Sequence, residues 1–342
     1  MRYLPLDEIE EGMILARSVI TEDGGTLLPK GLKLTKDHLQ ELKALNFTHL
    51  FVGVGPEDFE AEGISEQTYS QALSYVREVF LNAAKKQNLD YKGVLDVVDF
   101  MVDEVLNEDV LFNIFEIRNH DNYTYLHSVK VGIIAIIMGK NLGLEKDQIK
   151  ELAVGALLHD IGKMFIENSI LEKRGRLTYQ EYEKMRFHPR YGFEILCGAP
   201  GLSRQSTHVA YQHHEREDGS GYPRGLISEE IHLYAKIVMA ADSYDAMTSG
   251  RSYRRTLWSH EALAQLAAEA PEKYDPKMIN LLAKSVALYP VGSVVLLNNL
   301  EVGLVTDITR GSVKIEFLTG EDKGKKIALK ANDLLKIERR LS

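Results

Sequence analysis

The spacing of hydrophobic positions changes along the chain, and each change predicts a different kind of element. From Met13 to Val54 the apolar runs are short. They comprise Met13 to Val19, a turn at Asp23-Gly24-Gly25, a helical pattern from Lys36 to Leu45, and a strand-like run from Phe47 to Val52. That mixture predicts a small α/β module over residues 1–55. Gly53, Gly55 and Pro56 then punctuate the sequence and set a boundary near residue 56. Beyond it apolar residues recur at three and four positions, as at Tyr75, Val79, Phe80 and Ala83, which is the period of a helix with one buried face. Residues 56–118 therefore read as a helical connecting region.

Capping residues mark the helices that follow. Asp121 with Thr124 precedes an apolar helix running to about Gly139, and Glu151 to Leu158 forms the next. Thr178 and Glu181 have capping-box spacing, and predict a helix to about Cys197. Ser228, followed by Glu229 and Glu230, predicts another helix ending near Gly250, and Asp275-Pro276 starts a later one. After Pro290 the texture turns to short Val/Leu/Ile runs, with turn signals at Asn298-Asn299, Gly311 and Gly320 through Gly324. The fold class is thus mainly α. An all-helical domain at 119–290 is flanked by the N-terminal module and by a small, barrel-like β domain at 291–342.

Composition narrows the picture. The chain has 342 residues, 44% hydrophobic and 27% charged, which is the profile of an ordinary globular protein. With Cys197 as the single cysteine, neither an intrachain disulfide nor a thiolate zinc site is available, and the cytosol is the expected compartment. Cys197 itself reads as a small core residue. The opening MRYLPLDEIEEGM is acidic where a secretion signal would be basic and then apolar. The longest strongly apolar stretch, Val129 to Met138, contains Lys130 and falls short of the about 20 residues a membrane span needs, so no span is expected. A net charge of −9 disfavours bulk nucleic-acid binding and leaves room only for a focused phosphate site.

The chemistry concentrates in the helical middle. Of 11 histidines, His127, His159, His188, His213 and His214 lie there with Asp160 and Asp242, whereas His38, His49, His120, His208, His232 and His260 read as ordinary core or surface residues. Imidazole and carboxylate ligands without thiolate suit Mn, Fe, Zn or Ni. His159 and Asp160 are adjacent at the end of an apolar helix. One imidazole can bind a metal ion while the neighbouring carboxylate reaches the same ion and keeps a second oxygen free to bridge.

The stretch HDIGK continues to HHEREDGSGYP at residues 213 to 223, and the two together resemble the HD-GYP family of metal-dependent phosphodiesterases. The resemblance covers roughly residues 119 to 290. It implies an all-helical HD-type fold that hydrolyses cyclic dinucleotides, above all cyclic di-GMP, in bacterial second-messenger signalling. It further implies His127, His159, Asp160, His188, His213, His214 and Asp242 as metal ligands. Two divalent ions about 3.5–4 Å apart, Fe or Mn with Zn or Ni as alternatives, would be bridged by Asp160 and a hydroxide. Some family members hold a third metal with a glutamate at the position occupied here by Tyr123, so two ions are expected. Whether hydrolysis ends at pGpG or at GMP stays open.

Lys163, four residues after His159, is suited to reach a phosphoryl oxygen alongside Asp160 in catalysis. Asp245 shares a helix face with Asp242 and could accept from a guanine edge, and Arg251 and Arg254 in GRSYRRT suit phosphate and guanine. Gly221, Tyr222 and Pro223 form the GYP loop, which could wall the pocket or meet partner proteins. Two alternatives remain at this stage: hydrolysis of 3′,3′-cyclic GMP-AMP, and a catalytically silent module that senses the nucleotide or binds a partner. Oligomeric state and input signal are not legible.

Overall fold

The computed structural model describes residues 2–21, 23–45, 47, 49–53, 64–87, 89–107, 123–173, 175–249, 257–309, 311–330 and 333–341. Strands β1 (Arg2–Pro5), β2 (Ile14–Leu15), β3 (Val19–Ile20), β4 (Thr26–Leu28) and β5 (His49–Gly53) and helix α1 (Lys36–Ala44) form the N-terminal part. The predicted run from Met13 to Val19 is split. Its first half pairs in a sheet of order β1-β5-β2 and its end pairs with β4 in a separate hairpin. Strand β1 pairs antiparallel with β5 and carries no strong sequence signal.

Helices α2 (Glu66–Ala84), α3 (Lys92–Asn107), α4 (Tyr123–Leu142) and α5 (Lys146–Leu158) build the main core. Val79, Phe80 and Ala83 are buried on α2 as their period predicts, while Tyr75 is exposed. Helix α4 is buried from Tyr125 to Gly139, which explains why it reads apolar all round: it is the helix the others pack on. Each aliphatic side chain so buried contributes about 1.5–3 kcal/mol. Gly143, at φ +81°, follows its last turn. None of the described helices is long and apolar enough to cross a membrane.

A 3₁₀ turn at Ile161–Phe165 leads to α6 (Asn168–Leu171), α7 (Tyr179–Met185), α8 (His188–Leu196), α9 (Arg204–Gln212), α10 (Leu233–Thr248), α11 (Ser259–Lys273) and α12 (Pro276–Ser285). The Thr178–Glu181 capping box forms, with Thr178 Oγ1 accepting from the Glu181 amide at 3.3 Å. The helix it opens stops at Met185 instead of running to Cys197, because Pro189 sits in the first turn of a new helix and has no N–H to continue the old one. Ser228 to Glu230 make only a 3₁₀ turn. Ile231 and His232 are extended, and His232 caps α10. Cys197 is exposed, not packed in the core.

The last five strands, β6 (Val294–Leu297), β7 (Val302–Thr309), β8 (Ser312–Phe317), β9 (Lys326–Lys330) and β10 (Ile337–Arg340), form one antiparallel sheet of order β10-β6-β7-β8-β9. Among the described residues β9 and β10 do not pair, so the expected barrel is an open sheet with its own apolar cluster around Val295, Val305, Ile315 and Phe317.

Candidate metal centre

Five stretches deliver the seven expected side chains to one place. His127 comes from α4, His159 and Asp160 from the end of α5, His188 from the first residue of α8, His213 and His214 from the end of α9, and Asp242 from α10. The helices can close here because of Gly162. A Cβ at that position would lie 1.9 Å from the His188 carbonyl oxygen and 2.5 Å from the Gly192 amide nitrogen. The break between α7 and α8 serves the site too, since it lets His188 Nδ1 donate to the Met185 carbonyl at 2.7 Å.

Asp160, 1% exposed, occupies the middle. Its Oδ2 lies 3.4 Å from His159 Nε2 and 3.7 Å from His127 Nε2. Its Oδ1 lies 3.4 Å from His188 Nε2 and 3.7 Å from His213 Nε2. Two ligand groups result, Asp160 with His188, His213 and His214, and His127 with His159 and Asp242, the atoms within each lying at most 4.8 Å apart.

The histidines are oriented by what stands behind them. His159 Nδ1 donates to the Ala156 carbonyl at 2.6 Å and His213 Nδ1 to the Ala210 carbonyl at 3.0 Å, matching the His188 arrangement. Carbonyls only accept, so each Nδ1 carries the proton and each Nε2 offers a lone pair to the centre. Burial pulls His188, His213 and His214 below the usual imidazole range, His213 to about 4, so all three are neutral at pH 7. Burial also opposes charge on His127, but hydrogen bonds with Asp242 and Asp245 outweigh it and raise it to about 9. Burial pushes the Asp160 carboxyl up, yet Lys163 and the imidazoles outweigh it and hold it well below the usual carboxylate range. Asp242 is held down likewise, first by His127.

This donor set fits a divalent cation. His188 Nε2 and His213 Nε2, both bearing lone pairs, face each other at 3.2 Å, an arrangement that is repulsive without a cation between them. His159 Nε2 and Asp160 Oδ1 are buried without a hydrogen-bond partner. Buried carboxylates beside the neutral imidazoles of His188, His213 and His214 are what a metal ion stabilises.

The other expected residues fare differently. Lys163 reaches inward, its Nζ 2.5 Å from Asp160 Oδ2. Asp245 is 2% exposed, with Oδ2 2.7 Å from His127 Nδ1 and Oδ1 accepting from Ser249 Oγ at 2.9 Å, so it stands behind a histidine and presents no edge to a guanine. Arg251 and Arg254 lie outside the described residues, as do Asp121 and His120, and the boundary near residue 56.

The GYP loop folds back on the centre. Tyr222, joined to Pro223 by a cis peptide, stacks on His214, and the Arg186 guanidinium lies 5.2 Å from the same ring. A Cβ on Gly221 would lie 2.4 Å from Glu215 Cα, so only glycine lets the loop pass. Glu215 itself, fully buried, was not singled out in the sequence. Its carboxylate accepts from the Arg224 and Leu226 amides, both at 2.9 Å. Its adjacency to the paired histidines and a glycine-rich loop was the one available signal.

A helical domain that gathers buried histidines around a central aspartate belongs to the class of metal-binding helical domains. The chain matches the family model described as HD domain over residues 112–278. It is 36% identical over 239 residues to the cyclic di-GMP phosphodiesterase PA4108 of Pseudomonas aeruginosa, covering 70% of this chain and 58% of that one. It is 34% identical over 168 residues to 3′3′-cGAMP-specific phosphodiesterase 3 of Vibrio cholerae, covering 49% and 36%. The chain thus spans about half the length of the curated relatives it matches. Bd1817, an HDG"Y"P protein from Bdellovibrio bacteriovorus, shares the fold with a TM-score of 0.54 at 16% identity, covering 82% of this chain and 97% of that one.

Proposed function

We propose that this chain is a metal-dependent phosphodiesterase that hydrolyses cyclic di-GMP. The observation that carries the reading is the placement of Asp160, whose two oxygens face separate histidine pairs, as a carboxylate bridging two ions would. His127, His159 and Asp242 would hold one ion and His188, His213 and His214 the other, with Asp160 shared. Two divalent ions, Fe or Mn in the first instance, would activate water near neutral pH and neutralise charge on the phosphodiester. Lys163, whose Nζ contacts Asp160 Oδ2, would meet a phosphoryl oxygen, and Tyr222, stacked on His214, would wall that side. The intact ligand set favours an enzyme over a silent sensor.

Separate apolar clusters support setting an N-terminal module (1–55) and a β domain (291–342) apart from the middle, whereas the connecting region (56–118) shares one core with the catalytic domain (119–290). Arg251 and Arg254 remain assigned to substrate and the exposed side of the GYP loop to protein partners.

The test is hydrolysis of cyclic di-GMP by protein reconstituted anaerobically with Mn²⁺ or Fe²⁺. Chromatography resolves pGpG from GMP, and His159→Ala/Asp160→Ala is the control. Turnover that vanishes in the double variant is the expected result. Binding without turnover under either metal defeats it. The cGAMP-specific relative favours one second reading, that the substrate is 3′,3′-cyclic GMP-AMP, and faster turnover of that nucleotide in a side-by-side assay would select it.

A further inference from the structure

Behind His127 runs a line of polar groups, buried at Asp245 and Lys130 and half-buried at Ser249, that the hydrolysis reading does not use. Asp245 accepts from His127 Nδ1 with one oxygen and from the Ser249 hydroxyl with the other. Ser249 Oγ in turn accepts from the Lys130 ammonium at 3.3 Å. Lys130 is 6% exposed and sits three residues after His127 on α4, so the helix that bears the imidazole also supplies the cation. A lysine or an aspartate buried alone is costly, and together the two form an ionic group held against the imidazole.

His127 is thereby set apart from its neighbours. His159, His188 and His213 lean on neutral backbone carbonyls, whereas His127 leans on a carboxylate. A carboxylate behind a ligating imidazole fixes its orientation and makes its free nitrogen a stronger donor.

We propose that Asp245, braced by Ser249 and Lys130, is a positioning residue that fixes His127 and strengthens the hold of the His127–His159–Asp242 group on its divalent cation. The proposal rests on the two-ion reading above. Replacing Asp245 alone would strand the Lys130 charge, so the decisive variant is Asp245→Asn/Lys130→Met, which removes both charges and keeps the side-chain shapes.

Mn²⁺ is titrated calorimetrically into metal-free wild-type protein, into this double variant and into Ser249→Ala. Wild type is expected to bind two ions. The double variant should weaken one of them by about 10–100-fold and leave the other unchanged, and Ser249→Ala should weaken the same one by less. Wild-type affinity at both sites in the double variant overturns the proposal. So does an equal loss at both sites, which marks a general structural defect. Wild type that takes up no Mn²⁺ overturns the metal reading itself, and that result is distinct from either.

Discussion

Tyr222 stacks on His214, with ring centroids 4.7 Å apart and planes inclined by 28°. His214 lies against His188 and His213, but its Nδ1 faces Asp242 Oδ2 at 4.0 Å and, among the described residues, makes no bond to a helix carbonyl as theirs do, so the tyrosine ring supplies orientation that the backbone gives the others. The GYP loop is therefore part of the wall of the metal centre. Tyr222→Ala is expected to lower affinity for the ion on the His188–His213–His214 side by about 10-fold, while Tyr222→Phe, which keeps the ring, holds it near wild type. Metal titration of both variants checks this, and equal losses in the two would point to the hydroxyl and against stacking.

Gly162 supports a second prediction. Its missing Cβ is the space in which the 3₁₀ turn after Asp160 meets the His188 and Gly192 backbone. Gly162→Ala must push the turn from α8 and so separate Asp160 from His188. Overpacking of this kind costs about 1–3 kcal/mol. The expected outcome is a lower thermal midpoint and loss of metal on the His188 side; a stable variant with full metal content would show that the turn yields without disturbing the ligands.

Much of the site was legible because its signals are local. Histidine and aspartate stand out against an apolar background, and the HD and GYP stretches are short and contiguous. What remained illegible depends on tertiary contacts. The 178–197 segment reads as one helix, since its caps and period say nothing about the break at Arg186 and Phe187 that turns His188 inward. Asp245 shares a face with Asp242 in sequence, but only the packing of α10 on α4 shows that it meets His127 Nδ1. Strand β1 has four residues and no alternation to betray it, and sheet closure depends on pairings between strands that no single segment encodes.

Glu215 yields a third prediction. Its buried carboxylate accepts the Arg224 and Leu226 amides and so ties down the loop that carries Tyr222. Glu215→Ala leaves two amides without that acceptor, at about 1–3 kcal/mol each when they stay buried. Thermal unfolding should register the loss, and proteolysis should cut within 216–226 of the variant but not of wild type. Resistance equal to wild type would mean the loop is held by other contacts.

The protonation states define how metal loading responds to pH. Asp160 and Asp242 are held below the usual carboxylate range and are already ionised at pH 7, while His188, His213 and His214 are held below the usual imidazole range and are already neutral. None of these must give up a proton to accept an ion. His127 differs, because at about 9 it is protonated at pH 7, so its Nε2 must lose a proton before it can ligate. Loading at pH 7 should release about one proton per chain, and apparent affinity on the His127 side should rise about tenfold per pH unit from about pH 6 to 8. The same raised value stabilises the metal-free fold below the ordinary histidine range, and that contribution is lost as pH climbs through about 9. Mn²⁺ calorimetry in buffers of different ionisation enthalpy counts the protons directly. A count near zero at pH 7 would mean that His127 is neutral before the ion arrives, and that its two carboxylate neighbours hold it by geometry and not by charge.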